Sequence, residues 1–250
     1  MTNKIKILIL AAGKGTRMKS DLPKVLAQIG GKSMILHLLK SIAESNIDNR
    51  PVVVVGYKRE EIMKELGDKY DYAVQDEQLG TGHAVMSAQK ILENNTDHVM
   101  ILPSDHPFIS SYTLKKLAER HLTSNAKITM ATVKLPDFEN WRSVFYNSFS
   151  RIIRDENGKI IKDVQFRDAS DEEKEITEVN PIFFCFDALW LWKKLKTLKT
   201  DNDQKQYYLT DLIKKAMEEG QKIESINIDP HEALAANSKE ELEILEKLYV

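Results

Sequence analysis

Through residue 135 the chain alternates short β-branched apolar runs with longer stretches of helical spacing, and that alternation leaves few folds open. Strands are predicted over residues 4–12, 51–56, 70–74, 98–102 and 128–133. Helices are predicted between them, over residues 33–44, 59–66, 82–92 and 113–122, the first carrying Ile35, Leu38, Leu39 and Ile42 on one face. The run Val52-Val53-Val54-Val55 has no polar alternation, as expected of a strand buried on both faces. Strands that alternate with helices form a parallel sheet covered on both sides. In such sheets ligands bind beyond the carboxyl ends of the strands. The loops after Leu10, Gly56, Val74 and Leu102 are therefore where function is expected.

The second half changes character. Glu156-Asn157-Gly158 between apolar runs at 151–155 and 159–166 signals a hairpin. Residues 168–174 read as a loop or short helix, 182–186 and 223–228 as strands. Helices are expected at 188–198, at 207–219 with Gly220 closing it, and at 238–248, where Ser238 and Glu241 have capping-box spacing. The whole is an α/β, Rossmann-like expectation: a mixed, mainly parallel sheet with helices on both faces, in a single domain over residues 1–250.

Composition narrows the function. With 36 basic and 38 acidic residues the net charge is −2, which gives no electrostatic case for nucleic acid or a membrane surface. No run approaches the roughly 18 apolar residues of a membrane helix. The one cysteine, Cys185, rules out an internal disulfide and suits a reducing compartment, so a cytoplasmic location is expected.

Three loop segments carry chemistry. After the first strand come Gly13-Lys14-Gly15-Thr16-Arg17 and then Leu22-Pro23-Lys24. Two glycines allow a tight turn whose N–H groups face an anion, and three cations stand close by. Neither a Walker A loop nor a dinucleotide fingerprint is present, and taken alone the turn also reads as a basic surface loop. After the third strand comes Gln75-Asp76-Glu77-Gln78-Leu79-Gly80-Thr81-Gly82-His83. Its amides match a uracil edge, and Thr81 is placed to cap the next helix. After the fourth strand comes Pro103-Ser104-Asp105-His106-Pro107, with a carboxylate at the edge where Mg²⁺ would bind; a turn-forming Asp is the plain alternative.

The string from Leu10 to Met18 with Leu22-Pro23-Lys24, together with Gln75 to Ala84, resembles the signature of the sugar-nucleotide pyrophosphorylases. It is most similar to the uridyltransferase domain of bacterial N-acetylglucosamine-1-phosphate uridyltransferases. The likeness spans nearly the whole chain and weakens after residue 135. It implies a nucleotide-diphospho-sugar transferase fold, with residues 1–135 as the nucleotide-binding half and 136–250 as the sugar-binding half with the C-terminal helices. It implies that UTP and a sugar 1-phosphate react with the help of Mg²⁺ to give a UDP-sugar and pyrophosphate, with no general base. By the same resemblance Leu10, Ala11, Ala12, Gly13, Lys14, Gly15 and Thr16 hold the triphosphate, and Gln75, Gln78, Gly80 and Thr81 hold the base and ribose. Arg17, Lys24 and Asp105 are the catalytic groups, and Asp105 and Asn237 the metal ligands. Ser148, Gln165, Glu178 and Asn180 face the sugar. His83 is expected to be structural.

The match fails mainly on the sugar side. Ser148-Phe149-Ser150 stands where the family carries glycines, Gln165 where it has Glu, and Pro181-Ile182 where it has Thr-Gly. Such changes are expected to shift acceptor preference or weaken turnover. The family's hexapeptide-repeat acetyltransferase domain has no counterpart in these residues, so that activity is not expected. The rival readings are a transferase using another triphosphate, a nucleotide-binding homologue without turnover, and a glycosyltransferase, whose usual Asp-x-Asp motif is missing from the expected strand end.

Overall fold

The computed structural model describes residues 4–18, 20–202 and 204–249. In chain order the elements are β1 (Ile5–Ala11), the small hairpin β2 (Gln28–Ile29) and β3 (Lys32–Ser33), α1 (Met34–Ser45), β4 (Val52–Val55), α2 (Arg59–Leu66), β5 (Asp71–Val74), α3 (Thr81–Ser87), α4 (Gln89–Leu92), β6 (His98–Pro103), α5 (Ser111–Ser124) and β7 (Ile128–Lys134). The second half adds β8 (Ser150–Arg154), β9 (Ile160–Val164), α6 (Asp171–Lys174), β10 (Glu178–Asn180), β11 (Phe184–Asp187), α7 (Ala188–Leu195), α8 (Asp211–Glu218), β12 (Ile223–Asn227) and α9 (Lys239–Leu248).

One mixed sheet runs through the molecule in the order β5-β4-β1-β6-β11-β7-β10-β8-β9, with β12 beside β7. The block β5-β4-β1-β6 is parallel. Beyond it, β11 runs antiparallel to both β6 and β7, and β10 antiparallel to β7 and β8. Period-2 alternation assigns each strand residue to a face. Ile7, Ile9, Val53, Val55, Met100 and Leu102 pack under α1 and α5. Leu8, Val52, Val54, Val99 and Ile101 meet α3, α7 and α8 on the other side. From β1 the chain goes outward to β4 and β5, then crosses back to β6 on the opposite flank of β1. The order reverses between β1 and β6, so the loops after these two strands open a crevice at their carboxyl ends. Ser104 fastens the two loops together: its N–H and Oγ both donate to the Leu10 carbonyl, at 3.2 and 2.7 Å.

Several sequence expectations are corrected. The helix expected over 82–92 divides into α3 and α4 at Ala88. Thr81 is the first residue of α3 and not its cap; the cap position is Gly80, and Thr81 Oγ1 accepts the Leu209 N–H at 3.0 Å. The helix expected from 207 begins at Asp211, because Tyr207 is drawn into backbone pairing at the start of α3 and the Leu209 N–H is held by the Thr81 hydroxyl. Tyr207 N–H donates to Leu79 and Gly82 N–H to Tyr207, both at 2.8 Å. The strand expected over 182–186 is broken from β10 by Ile182, which has φ +65°. The capping box at Ser238 is half made. Ser238 Oγ accepts the Glu241 N–H, but the Glu241 carboxylate reaches Asn237 instead. A complete capping box joins Ser170 and Glu173 at α6. Gly220 closes α8 with φ +62°, as the sequence indicates.

Candidate active site

The crevice at the carboxyl ends of β1, β5 and β6 is a cleft of about 580 Å³. Its floor begins where β1 ends. Ala12 to Arg17 rim it, Met18 is buried beneath as an anchor, and the Met18 N–H donates to the Gly15 carbonyl at 3.0 Å. Gly15 has φ +59°, and a Cβ there would stand 2.6 Å from Lys24 Cβ. The loop therefore lies directly on the root of Lys24 and tolerates only glycine at that point. A second single turn, Lys24–Leu26, follows Pro23 and is pinned by buried Val25. Leu10 also lines the cleft, whereas the Ala11 side chain is packed in the core under α1.

Lys24 is the centre of the polar arrangement. Its Nζ donates to Asp105 Oδ2 at 2.5 Å and to Asn237 Oδ1 at 2.9 Å. Asp105 comes from the loop after β6 and Asn237 from the residue before the Ser238 cap of α9, so groups 81 and 213 positions away converge on one ammonium. Burial pushes the Asp105 carboxyl up, but the Lys24 ammonium, His106 and the hydrogen bonds to the carboxylate together outweigh it and hold the group at about 2. His106 is fully buried. Its Nδ1–H donates to the Ala233 carbonyl at 3.0 Å, and desolvation lowers its pKa, leaving a neutral ring near neutral pH. That bond ties the β6 loop to the segment that delivers Asn237. Glu241 completes the brace: it accepts the Asn237 N–H at 2.6 Å and faces Ser148 Oγ at 3.5 Å.

The opposite end of the cleft is the turn between β5 and α3. Gln75, 3% exposed, donates through Nε2 to the Gly80 carbonyl at 3.1 Å and meets His83 Nδ1 at 3.1 Å. Gln78 donates back to the Gln75 carbonyl. Gly80 has φ +103°, and a Cβ would come within 2.7 Å of the Tyr207 carbonyl. Gln75, Gln78, Gly80 and Thr81 all line the cleft, and His83 lies behind them, stacked on Tyr207.

The four sugar-side candidates are divided. Ser148 lines the cleft. Gln165 lies outside its lining and donates to Thr210 Oγ1 at 2.9 Å. Glu178 is clasped by the Arg154 guanidinium at 2.6–3.0 Å. Asn180 is fully buried; its amide donates to Asp163 at 2.6 Å and its oxygen accepts the Ile182 N–H at 2.8 Å. Asn180 thus shapes the Pro181-Ile182 turn, and that turn does reach the cleft. Ile182 is a β-branched residue in the left-handed region, a conformation costing about 1–3 kcal/mol and persisting only where the surroundings impose it.

Sequence reasoning marks Phe149, Pro181 and Ile182 only as departures on the sugar side, and all three wall the cleft; it passed over Gln206 as a wall residue and His106 as a brace. It also missed Arg151, which is 0% exposed. Arg151 donates to the carbonyls of Lys174, Phe149 and Tyr146 at 3.0, 2.7 and 2.7 Å. Its guanidinium carbon lies within 5.5 Å of the ring centres of Phe138, Tyr146 and Phe166. It fixes the backbone that carries Ser148 and Phe149 along the cleft.

Residues 7–208 match the family model described as the MobA-like NTP transferase domain. The chain belongs to this family. Among curated relatives of this chain, the bifunctional protein GlmU of Carboxydothermus hydrogenoformans is 42% identical, over 96% of this chain and 52% of its own length. GlmU of Desulfotalea psychrophila is 38% identical, over 96% of this chain and 69% of its own. GlmU of Lactococcus lactis subsp. lactis is 41% identical, over 93% and 49%. The chain spans about half the length of most of these relatives. A crystal structure of a putative glucose-1-phosphate thymidylyltransferase from Bacillus anthracis, in complex with a sucrose, superposes with a TM-score of 0.77 at 17% identity, covering 98% of this chain and 94% of that one. It confirms the mixed sheet of the nucleotide-diphospho-sugar transferase type. Among the described residues no helix is long and apolar enough to cross a membrane.

Proposed function

We propose that the transferase joins UTP to a sugar 1-phosphate, N-acetylglucosamine 1-phosphate or a related sugar, and releases pyrophosphate. One observation carries the reading. The loop that can wrap a triphosphate, the amide-bearing turn that can read a base, and the Lys24–Asp105–Asn237 cluster share a single cleft. The GlmU relatives support the choice of UTP and of an N-acetylhexosamine acceptor.

The chain's own groups bind and orient. Backbone N–H groups from Gly13 to Thr16 receive the phosphates, and Lys14, Arg17 and Lys24 neutralise them. Gln75, Gln78 and Gly80 set the base, and Ser148 with the turn shaped by Asn180 leaves room for the acceptor. Glu178 and Gln165 act one layer back. The attacking phosphate oxygen is anionic near neutral pH, so the step needs positioning and charge neutralisation but no proton acceptor.

Asp105 and Asn237 fit a Mg²⁺ ion by their chemistry. They offer two oxygens, one carboxylate and one amide, that already converge on a single cationic atom. When bound, the ion supplies charge neutralisation between the donor and acceptor phosphates. The lone, buried Cys185 suits work in a reducing compartment.

Pyrophosphate release from UTP, measured across a panel of sugar 1-phosphates with and without Mg²⁺, tests the proposal. Release with at least one sugar phosphate, lost on chelation, is expected. Release that favours another nucleoside triphosphate would reassign the base turn, and no release with any pair would leave a binding protein. The fastest acceptor reports what Pro181-Ile182 and Gln165 have done to specificity.

A further inference from the structure

We propose that Lys24 is an exchangeable counter-cation that holds the metal position until the nucleotide arrives, so that metal and triphosphate bind as a coupled pair. The inference rests on the metal-dependent reading above. Its ground is geometric: the two oxygens suited to a divalent ion, Asp105 Oδ2 and Asn237 Oδ1, are both occupied by the same ammonium. A dication bound to those oxygens would stand within ion-pair distance of Nζ, and two cations repel strongly in a pocket where the Lys24 and Asp105 side chains are only 16% and 12% exposed. Occupancy is therefore exclusive. The metal has to displace Lys24, and the displaced ammonium needs another anion.

The phosphate loop supplies the place for one. Gly15 lies against the base of the Lys24 side chain, and the loop rim opens into the same cleft. Lysine has a flexible stem and a point charge, so it can swing from Asp105 to a phosphate while its backbone stays in the turn after Pro23. With a triphosphate in the loop the ammonium exchanges one anion for another. Without it, the metal has to leave the ammonium unpaired. Each ligand thereby favours the other by the same factor, as linkage requires.

The test is Mn²⁺ binding to the nucleotide-free protein, read by electron paramagnetic resonance or calorimetry, for wild type, Lys24→Met and Lys24→Gln. Both neutral variants are expected to bind Mn²⁺ about tenfold or more tightly than wild type, the size of an ordinary coupling between sites. Roughly equal affinities in all three would overturn the proposal. Circular dichroism checks that each variant is folded. Should both unfold, the Lys24 ammonium resonance of the wild type decides: it is expected to persist in Mg²⁺ alone and to move only with Mg²⁺ and UTP together, and a shift with Mg²⁺ alone overturns it. Mn²⁺ that binds no form of the protein contradicts the metal site itself, an outcome distinct from equal binding.

Discussion

Asp105→Ala is expected to lower pyrophosphate release from UTP about a thousandfold, roughly 4 kcal/mol of transition-state stabilisation, with the fold intact. Among the described residues the carboxylate is the only negative charge paired with Lys24, and on the proposed function the donor and acceptor phosphates would meet beside it, just past the end of β6. Two effects combine in the variant. On the proposed function a divalent ion would lose its charged ligand, and Lys24 loses the partner that sets its position. The stability cost is much smaller, about 1–3 kcal/mol, because Lys24 keeps Asn237 Oδ1 and has a flexible stem. Turnover and thermal unfolding measured on one preparation separate the two. Unimpaired turnover would remove Asp105 from the mechanism, and a collapse of the fold would show that the Lys24–Asp105 pair is structural first.

Arg151→Ala is expected to cost about 3–5 kcal/mol of folding stability, a large part of what a domain has. Three backbone carbonyls lose a charged donor, each worth about 1–3 kcal/mol when left unpaired. The void opens among Phe138, Tyr146 and Phe166. Arg151→Lys keeps the charge but not the planar fork of donors, and should recover less than half of the loss. Urea unfolding measures both variants. A loss below about 1 kcal/mol for the alanine variant would mean that water satisfies those carbonyls in place of the guanidinium.

Sheet and helices were legible because they are written locally. Val52 to Val55 is apolar at every position, and Leu38, Leu39 and Ile42 repeat at helical spacing; each needs no knowledge of the rest of the chain. The tight turn after β1 was legible for the same reason, since Gly13, Gly15 and Arg17 stand close together in the sequence, and all three rim the cleft. Residues whose surroundings are assembled from afar were not. Thr81 reads as a cap until Leu209 claims its hydroxyl. Residues 207–210 read as helix until Leu79, Thr81 and Gly82 take the hydrogen bonds of Tyr207 and Leu209. Glu241 reads as the second half of a capping box until Asn237 and Ser148 compete for its carboxylate. Ile182 carries no local sign that its φ is positive, since glycine or asparagine usually marks such a place. Arg151 reads as one more residue of a hairpin strand, and only the fold shows three aromatic rings closed around it. Among the sugar-side candidates the polar residues are engaged with other side chains, Glu178 with Arg154 and Asn180 with Asp163, and only the fold reveals which of them reach the cleft.

A crystal of the protein grown with UTP and Mn²⁺ tests the central claim most directly, through the anomalous signal of the metal. The account predicts a Mn²⁺ peak between Asp105 and Asn237, with Lys24 withdrawn from them and the triphosphate seated on the backbone of Gly13 to Arg17. Nucleotide phosphates lying away from that loop, or a metal bound elsewhere while Lys24 still bridges Asp105 and Asn237, would contradict it.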